Sequence, residues 1–234
     1  MLLTYNAAES ESGQAVIAQC QKHRVPVVAY GDAAALATVD RVSSDHAAGA
    51  GQLTEYLIAQ GRKRLLRLWR FPDEHQWLSD RNQGFESVVR QHALPLLPAL
   101  RTPQLSTHDV LGKEAFGHVA RMLAGYLSEY VLSSEAIDGL MVATDIHALQ
   151  AAAALRLLGK VPGRDVLIVG YDNSYADYSD FQVEPTPPAA TVDKQNGRLA
   201  KELVSLLLDR AAGRLGPEPQ CRMVRPKLIV TKNV

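Results

Sequence analysis

Two carboxylates follow two apolar segments in the second half of the chain. Residues 139–143 and 166–169 are short apolar runs without alternation, as in strands buried on both faces. The helical pattern between them predicts a strand–helix–strand unit, whose right-handed crossover makes the two strands parallel. Asp145 and Asp172 would then lie at one edge of the sheet, about 4.8 Å apart if the strands are neighbours. Because ligands bind at this carboxyl edge in open α/β sheets, we expect a polar crevice there.

Each polar side chain at this crevice has a structural alternative. Asp172 is suited to accept hydrogen bonds from ligand hydroxyl groups, but Asp172 and Asn173 could instead stabilise a loop turn. Asp145 could act mainly as the N-cap of the following helix, which makes its neighbour Thr144 the better candidate to face the crevice. Asp45 precedes another predicted helix and could either cap it or line the same crevice.

An arginine and several aromatic residues complete the candidate site. Arg81, near the start of a predicted helix, offers a planar fork of donors for paired hydroxyls or a carboxylate, although a solvated arginine is the alternative. Aromatic residues at predicted strand ends and loops could stack on a ligand or pack inside the protein; they are Tyr5, Tyr30, Trp69 and Trp77. The expected ligand-binding residues are therefore Arg81, Asp172, Thr144, Asp145, Asp45, Trp69 and Tyr5.

Motifs for catalysis and metal binding are missing from the sequence. It contains no G-x-S-x-G, H-E-x-x-H, P-loop or C-x-x-C segment, and its 7 histidines have no metal-ligand spacing. We therefore expect no enzyme, no cofactor and no metal.

The charge balance gives no reason to expect nucleic acid or membrane as a partner. Lys plus Arg and Asp plus Glu number 25 each, so the formal net charge is zero. No apolar run approaches the roughly 20 residues of a membrane span. The first residues lack the basic start of a signal peptide, and two isolated cysteines, Cys20 and Cys221, suggest a reducing compartment. We expect a cytoplasmic protein.

Alternating strand and helix patterns predict an α/β fold with mostly parallel sheets flanked by helices. Helices are predicted to begin at Ser12 or Gly13, after Asp45, at Ser79 or Asp80 and at Asp145, and two further helices are predicted to contain residues 116–127 and 199–207. Strands are predicted at residues 1–5, 25–29, 38–42, 65–69, 96–100, 139–143, 166–169, 191–192 and 225–232.

Seven separated segments carry a family resemblance. They are V-S-S-D-H-A-A-G from Val42, L-I-A-Q-G-R-K-R-L from Leu57, R-N-Q-G-F from Arg81, A-T-D-I-H-A-L from Ala143, V-P to G-Y-D-N from Val161, P-P-A-A-T-V from Pro187 and P-K-L-I-V from Pro226. In this order they resemble the effector-binding part of the LacI/GalR family of bacterial transcription regulators. By the family pattern, Arg81 and Asp172 would contact the effector.

The resemblance implies a type I periplasmic-binding-protein-like fold. Two lobes, each with a mostly parallel sheet flanked by helices, would hold a small ligand in the cleft between them. The chain would cross between lobes near residues 69–71, 189–192 and 213–218. The expected division is a partial first lobe at 1–69, a second lobe at 70–189, a return to the first lobe at 190–212, and a C-terminal crossover and strand at 213–234.

Departures from the family pattern concern the ligand and the N-terminus. Thr144 and His46 stand where relatives usually have asparagine, and residues 105–107 lack the aromatic residue of many sugar-binding relatives. The helix-turn-helix, the hinge helix and the first strands of the family have no counterpart. We therefore expect a first lobe incomplete at its N-terminus, and DNA contact only through a helix-turn-helix outside these residues.

The implied function is that of the effector-sensing and dimerising domain of a LacI-type regulator. It would form a homodimer and bind a small polar effector, namely a sugar, a polyol or a nucleobase. The alternative is a solute-binding protein of a sugar transport system, which has the same fold.

Overall fold

A computed structural model of the protein describes residues 1–3, 10–71, 75–103 and 112–231. Helices alternate with the strands of two sheets in these ranges, so the predicted α/β fold is confirmed. None of the helices in the described ranges combines the length and the hydropathy that crossing a bilayer requires.

The elements occur in the following chain order. They are β1 (Leu2–Leu3), α1 (Glu11–Lys22), β2 (Val28–Tyr30), β3 (Asp40–Ser44), α2 (His46–Ala59), β4 (Leu65–Trp69), α3 (Gln76–Gln91), β5 (Leu100–Arg101), α4 (Gly112–Val131), β6 (Gly139–Val142), α5 (Asp145–Leu157), β7 (Leu167–Val169), β8 (Ala190–Asp193), α6 (Asn196–Ala211), β9 (Cys221–Val224) and β10 (Lys227–Val230).

The first lobe is built on a parallel sheet with the strand order β1-β2-β3-β9. Helix α1 contributes the buried Ile17 to a core on one face of this sheet, together with Val27 and Ala29. Helix α6 contributes Leu199 and Leu206 to a second core on the other face. The short strands therefore form the middle layer of three, with helices on both faces of the sheet.

The second lobe has a larger sheet with the strand order β10-β8-β7-β6-β4-β5, in which only β10 runs antiparallel to its neighbour. Alternate side chains of β4 enter different cores, as the period of a strand requires. Leu66 and Leu68 pack with α4 and α5. Leu65 and Trp69 pack with α2 and α3. Burial on both faces explains why this strand is almost continuously apolar.

The start of helix α2 agrees with the sequence prediction, whereas helix α3 starts earlier than predicted. The Asp45 carboxylate accepts a hydrogen bond from the backbone N–H of Ala48 at 2.9 Å, which makes Asp45 the N-cap of α2. Gly61, with φ of 79°, follows the end of the same helix. Helix α3 begins at Gln76, before the predicted Ser79 or Asp80, and its N-cap residue His75 makes no side-chain capping bond. Because no side chain caps this helix, the sequence around its first residue contains no capping pattern from which the start could be predicted.

Strand pairing corrects the lobe boundaries expected from the sequence. Strand β4, expected in the first lobe, pairs with β6 of the second lobe, with Leu65 opposite Gly139. Strand β8, expected at the return to the first lobe, pairs with β7 and β10 of the second lobe. Strand pairing joins residues that are far apart in the chain, so the residue pattern within one segment does not predict it.

The three crossings between lobes therefore lie elsewhere than expected. The strand predicted at residues 225–232 corresponds to β10 of the second lobe, while β9 of the first lobe ends at Val224, before Pro226, and was not predicted. Two of the crossing segments touch, because the backbone N–H of Asp45 donates to the carbonyl oxygen of Val224 at 3.0 Å. The crossings occur at residues 44–46, 193–196 and 224–227.

Candidate functional site

A cavity of about 230 Å³ lies where the carboxyl ends of the two sheets meet. The first lobe contributes the last residue of β2, and the second lobe contributes helix α3 and the segments that follow β4, β6 and β7. The first two crossings contribute one residue each. The lining residues are Tyr30, His46, Phe71, Trp77, Arg81, Thr144, Asp172 and Lys194.

The Arg81 guanidinium is the most deeply enclosed charge at the cavity. One Nη donates to the carbonyl oxygen of Ala143 at 2.6 Å. The guanidinium carbon lies 3.4 Å from the centre of the Tyr171 ring and 4.5 Å from that of Trp77. Burial lowers the pKa of Arg81 from its ordinary value, but an arginine side chain still keeps its proton at any physiological pH. The cavity therefore holds a permanent, desolvated positive charge.

His46, the first residue of α2, is the neutral partner of this arginine. Its Nδ1 lies 3.4 Å from Nε and 3.3 Å from an Nη of Arg81. Since a guanidinium can only donate, Nδ1 must accept and the ring proton lies on Nε2. Burial, reinforced by the charges of Arg81 and Lys194, lowers the pKa of His46 to about 2. Its ring therefore adds no charge to the cavity.

Asp172 faces the cavity from the loop after β7 and forms an ion pair across it. Its Oδ1 lies 2.8 Å from Nζ of Lys194, which comes from the second crossing. The backbone of Asp172 has φ of 99°, in a region that aspartate tolerates better than most residues, and its N–H donates to Val192. The aspartate is thus held in place by β8 and the crossing that follows it.

Thr144 brings an unsatisfied hydroxyl group to the cavity. Its Oγ1 is buried and has no hydrogen-bond partner among the residues that the structure describes. Its carbonyl oxygen accepts from the N–H groups of His147 and Ala148, so Thr144 occupies the N-cap position of α5 without using its side chain there. A buried hydroxyl without a partner costs about 1–3 kcal/mol, which a ligand atom at this position would recover.

Asp145 does not cap α5 and does not line the cavity, contrary to the expectation for this residue. It is fully buried, and its oxygens accept from Thr191 Oγ1 and from the backbone N–H of Ser174, both at 2.7 Å. Burial raises the pKa of Asp145 to about 6. Gly170 permits this arrangement, because a Cβ there would lie 2.1 Å from Asp145 Oδ1. Asp145 therefore fixes the segment that carries Asp172.

The fold and the cavity can be compared with known families. The family model of the periplasmic binding protein-like domain matches residues 54–232. The chain belongs to this family.

Within the periplasmic binding protein-like family, the matched relatives are LacI-type transcriptional regulators. The HTH-type transcriptional regulator CelR of Thermobifida fusca is 26% identical over 176 residues, which cover 75% of this chain and 46% of CelR. The chain thus spans about half the length of the curated relatives it matches. By their names, these relatives are transcriptional regulators.

Solved structures of such regulators share the fold. A regulatory protein of the LacI family from Chloroflexus aggregans superposes with a TM-score of 0.74 at 24% identity, covering 98% of this chain and 74% of that one. A complex of the transcriptional regulator CelR with cellobiose gives a TM-score of 0.75 at 21% identity, covering 100% of this chain and 65% of that one. The resemblance inferred from the seven segments is confirmed.

Two other expected site residues, Trp69 and Asp45, lie away from the cavity of this periplasmic binding protein-like domain. Trp69 is completely buried in the core of the second lobe, where its Nε1 donates to Asn82 Oδ1 at 2.9 Å, so it offers no stacking surface. Asp45 caps α2, as one of its two interpretations required, and does not line the cavity. Tyr5 lies outside the described residues.

Phe71 and Lys194 line the cavity but were missed by the sequence analysis. Both follow the carboxyl end of a strand of the second sheet, Phe71 after β4 and Lys194 after β8. The rule that identified Asp172 would have found them, had it been applied to every strand. Tyr30 and Trp77 were named only as possible stacking surfaces and His46 only as a departure from the family pattern, yet all three line the cavity.

Proposed function

We propose that the chain is the effector-sensing and dimerising domain of a LacI-type transcription regulator, and that a small, polar, sugar-like ligand binds in the cavity between its lobes. DNA recognition would come from a helix-turn-helix outside these 234 residues. The regulator would act in the cytoplasm as a homodimer.

The observation that carries this proposal is that both lobes and two crossings line one cavity. Tyr30 comes from the first lobe, Arg81 and Thr144 from the second, and His46 and Lys194 from the crossing segments. A ligand that contacts both lobes favours one arrangement of the lobes over others, because it binds that arrangement more tightly. Such a bias is what a regulator transmits to the DNA-binding heads of a dimer.

The lining chemistry suits a hydroxylated ring. Tyr30, Phe71 and Trp77 offer apolar ring surfaces, while Arg81 and Thr144 supply a cation and an unpaired hydroxyl group. The cavity volume of about 230 Å³ is below the roughly 300–1,000 Å³ of sites for drug-sized ligands, which favours one sugar ring over two. The cellobiose complex of the similar regulator CelR supports a sugar-like ligand.

The regulator interpretation is favoured over a solute-binding protein of a transport system. Both have the same fold, but the matched relatives are transcriptional regulators. Reading the coding DNA upstream of Met1 in frame distinguishes the two. A helix-turn-helix there supports the regulator, and a secretory signal contradicts it.

Calorimetric titration of the purified chain tests the cavity. The panel contains neutral monosaccharides, sugar acids, sugar phosphates and cellobiose. Whichever compound binds should lose about 10- to 100-fold in affinity in the Arg81→Ala and Thr144→Val variants, the scale of one or two lost hydrogen bonds. Ser128→Ala, on the exposed part of α4, is the control and should bind as the parent does. Affinity unchanged in both cavity variants would overturn the cavity assignment, and light scattering from the purified chain tests the homodimer.

A further inference from the structure

Three arginines of the second lobe are almost completely buried, and they differ in their partners. Arg67, Arg70 and Arg81 are 3%, 6% and 4% exposed. An Nη of Arg67 lies 2.7 Å from a carboxylate oxygen of Glu86, so its charge is neutralised. Arg70 and Arg81 have no acidic residue within ion-pair distance in the described part of the chain. Among the described residues, Asp172 is the carboxylate that attracts Arg81 electrostatically, and it already forms an ion pair with Lys194.

Arg70 lies directly behind the cavity wall. It precedes Phe71, which lines the cavity, and an Nη donates to Oε1 of Gln150 at 2.6 Å, while its Nε has no partner within the described ranges. The buried ring of His147 lies 5.5 Å from the Phe71 ring, and none of the described residues is a partner for its Nδ1. Burial and then the charge of Arg70 lower the pKa of His147 to about 3, so this histidine is neutral.

The charges that line the cavity do not balance. Lys194 and Asp172 neutralise each other as an ion pair. His46 is neutral, and Asp32, which follows Tyr30 in the first lobe, does not line the cavity. Arg81 and Lys194 thus share the single carboxylate of Asp172, which leaves one net positive charge among the described lining residues, and Arg70 adds another behind Phe71. Buried charges without partners are destabilising, so their retention on one side of one cavity calls for a compensating group.

Building on the proposed function, we propose that the ligand of this cavity is anionic: a single-ring sugar derivative that carries a carboxylate or a phosphate group. Arg81 would contact the anionic group directly. Arg70 would stabilise the anion through the low-dielectric region around Phe71, where charges interact more strongly than in water. Thr144 and the aromatic rings would contact the sugar.

Matched sugars separate the charge of the ligand from its shape. Titration calorimetry on the whole chain at constant ionic strength compares D-glucose, D-glucuronate and D-glucose 6-phosphate, and the corresponding galactose and mannose series. The proposal expects at least one charged compound to bind at least about tenfold more tightly than its neutral parent, a difference of about 1.4 kcal/mol. Comparison of the sugar acids with the sugar phosphates shows whether a carboxylate or a phosphate group is preferred. A neutral sugar that binds as tightly as its charged counterparts, or no binding of any charged compound at millimolar concentrations, overturns it.

A pair of arginine variants tests the role of Arg70. Arg70→Met should reduce the ratio of charged-ligand to neutral-ligand affinity by about tenfold or more. Arg67→Met is the matched control and should leave the ratio unchanged, because Glu86 already neutralises Arg67. Equal ratios in the parent and in Arg70→Met would overturn this role. If neutral sugars bind and Thr144→Val weakens that binding, the anion inference fails while the proposed function stands; if a charged sugar binds but neither Arg81→Ala nor Thr144→Val matters, the proposed function fails.

Discussion

Gly84 of α3 packs directly against the main chain of Ala47 in α2: a Cβ on Gly84 would lie 2.1 Å from the Ala47 carbonyl oxygen. This close approach fixes the site, because Ala47 follows His46 and Gly84 lies three residues after Arg81 on the same face of its helix. The contact between Arg81 and His46 depends on the two helices lying this near each other.

Replacing this glycine should disturb both the packing and the site. Gly84→Ala is expected to lower the free energy of unfolding by about 1–3 kcal/mol, since the backbone of Ala47 must move. Gly125→Ala in α4 is the control: nothing lies within 4 Å of its would-be Cβ, so the free energy of unfolding should rise by up to about 1 kcal/mol. Urea unfolding of both variants measures the difference, and equal effects would contradict the close approach.

Two threonines should respond in opposite ways to the same substitution. Thr144→Val removes a hydroxyl group without a partner in the described part of the chain, so the free energy of unfolding of the ligand-free protein should stay constant or rise by about 1 kcal/mol. Thr191→Val removes the 2.7 Å hydrogen bond to Asp145 and should lower it by about 1.5–3 kcal/mol. Thermal and urea unfolding decide this. A loss of the same size in both variants would show that Thr144 is already satisfied without ligand.

Stability should fall as the pH drops below about 6.5. His46 and His147 have folded-state pKa values of about 2 and about 3, against an ordinary 6.5, so only the unfolded chain takes up these protons. At about pH 5 this costs about 2 kcal/mol for each histidine. Asp145 acts in the opposite direction, because its pKa is raised from 3.8 to about 6 and the folded state holds its proton longer. At about pH 5, protonation of Asp145 in the folded state raises the free energy of unfolding by roughly 1 kcal/mol.

The net expectation is a loss of about 3 kcal/mol between about pH 7 and pH 5. Urea unfolding at the two pH values measures it, and His147→Gln should remove about 2 kcal/mol of the loss. A free energy of unfolding that does not change over this interval would mean that water reaches both histidines.

Trp69 should matter for stability and not for binding. Trp69→Phe removes the hydrogen bond from Nε1 to Asn82 and leaves a gap in the core, with an expected loss of about 1–3 kcal/mol in the free energy of unfolding. Ligand affinity should remain within about twofold of the parent, since Trp69 does not line the cavity. A large loss of affinity with little loss of stability would show that Trp69 contributes to ligand binding after all.

Most elements were predictable because their signals are local. Strand β4 is an unbroken buried run whose bounds matched the prediction, and α2 has its cap at Asp45 and a glycine at its end. The membership of β4 in the second sheet was not predictable in the same way, because it depends on pairing with β6, more than 70 residues later in the chain. The N-terminus of α3 was misplaced because no side chain caps it.

The candidate site was predictable where position along a strand determines it. Asp172 and Thr144 were expected at the crevice because they follow buried strands, and both line the cavity. Asp145 follows the same strand, but its side chain turns into the protein to bind Thr191, a partner brought in by a distant strand. The orientation of a side chain depends on such partners, which a single segment does not reveal.

The three crossings have a consequence for how proteins of this kind diversify. Each lobe is assembled from separate stretches of the chain, with β9 returning to the first sheet after most of the second has been completed. A recombination event at one point in the gene would therefore join mismatched parts of both sheets, and exchange of an intact lobe requires several breakpoints at once. Changes in ligand preference are then most accessible through single substitutions around the cavity, for example at Lys194 beside Asp172.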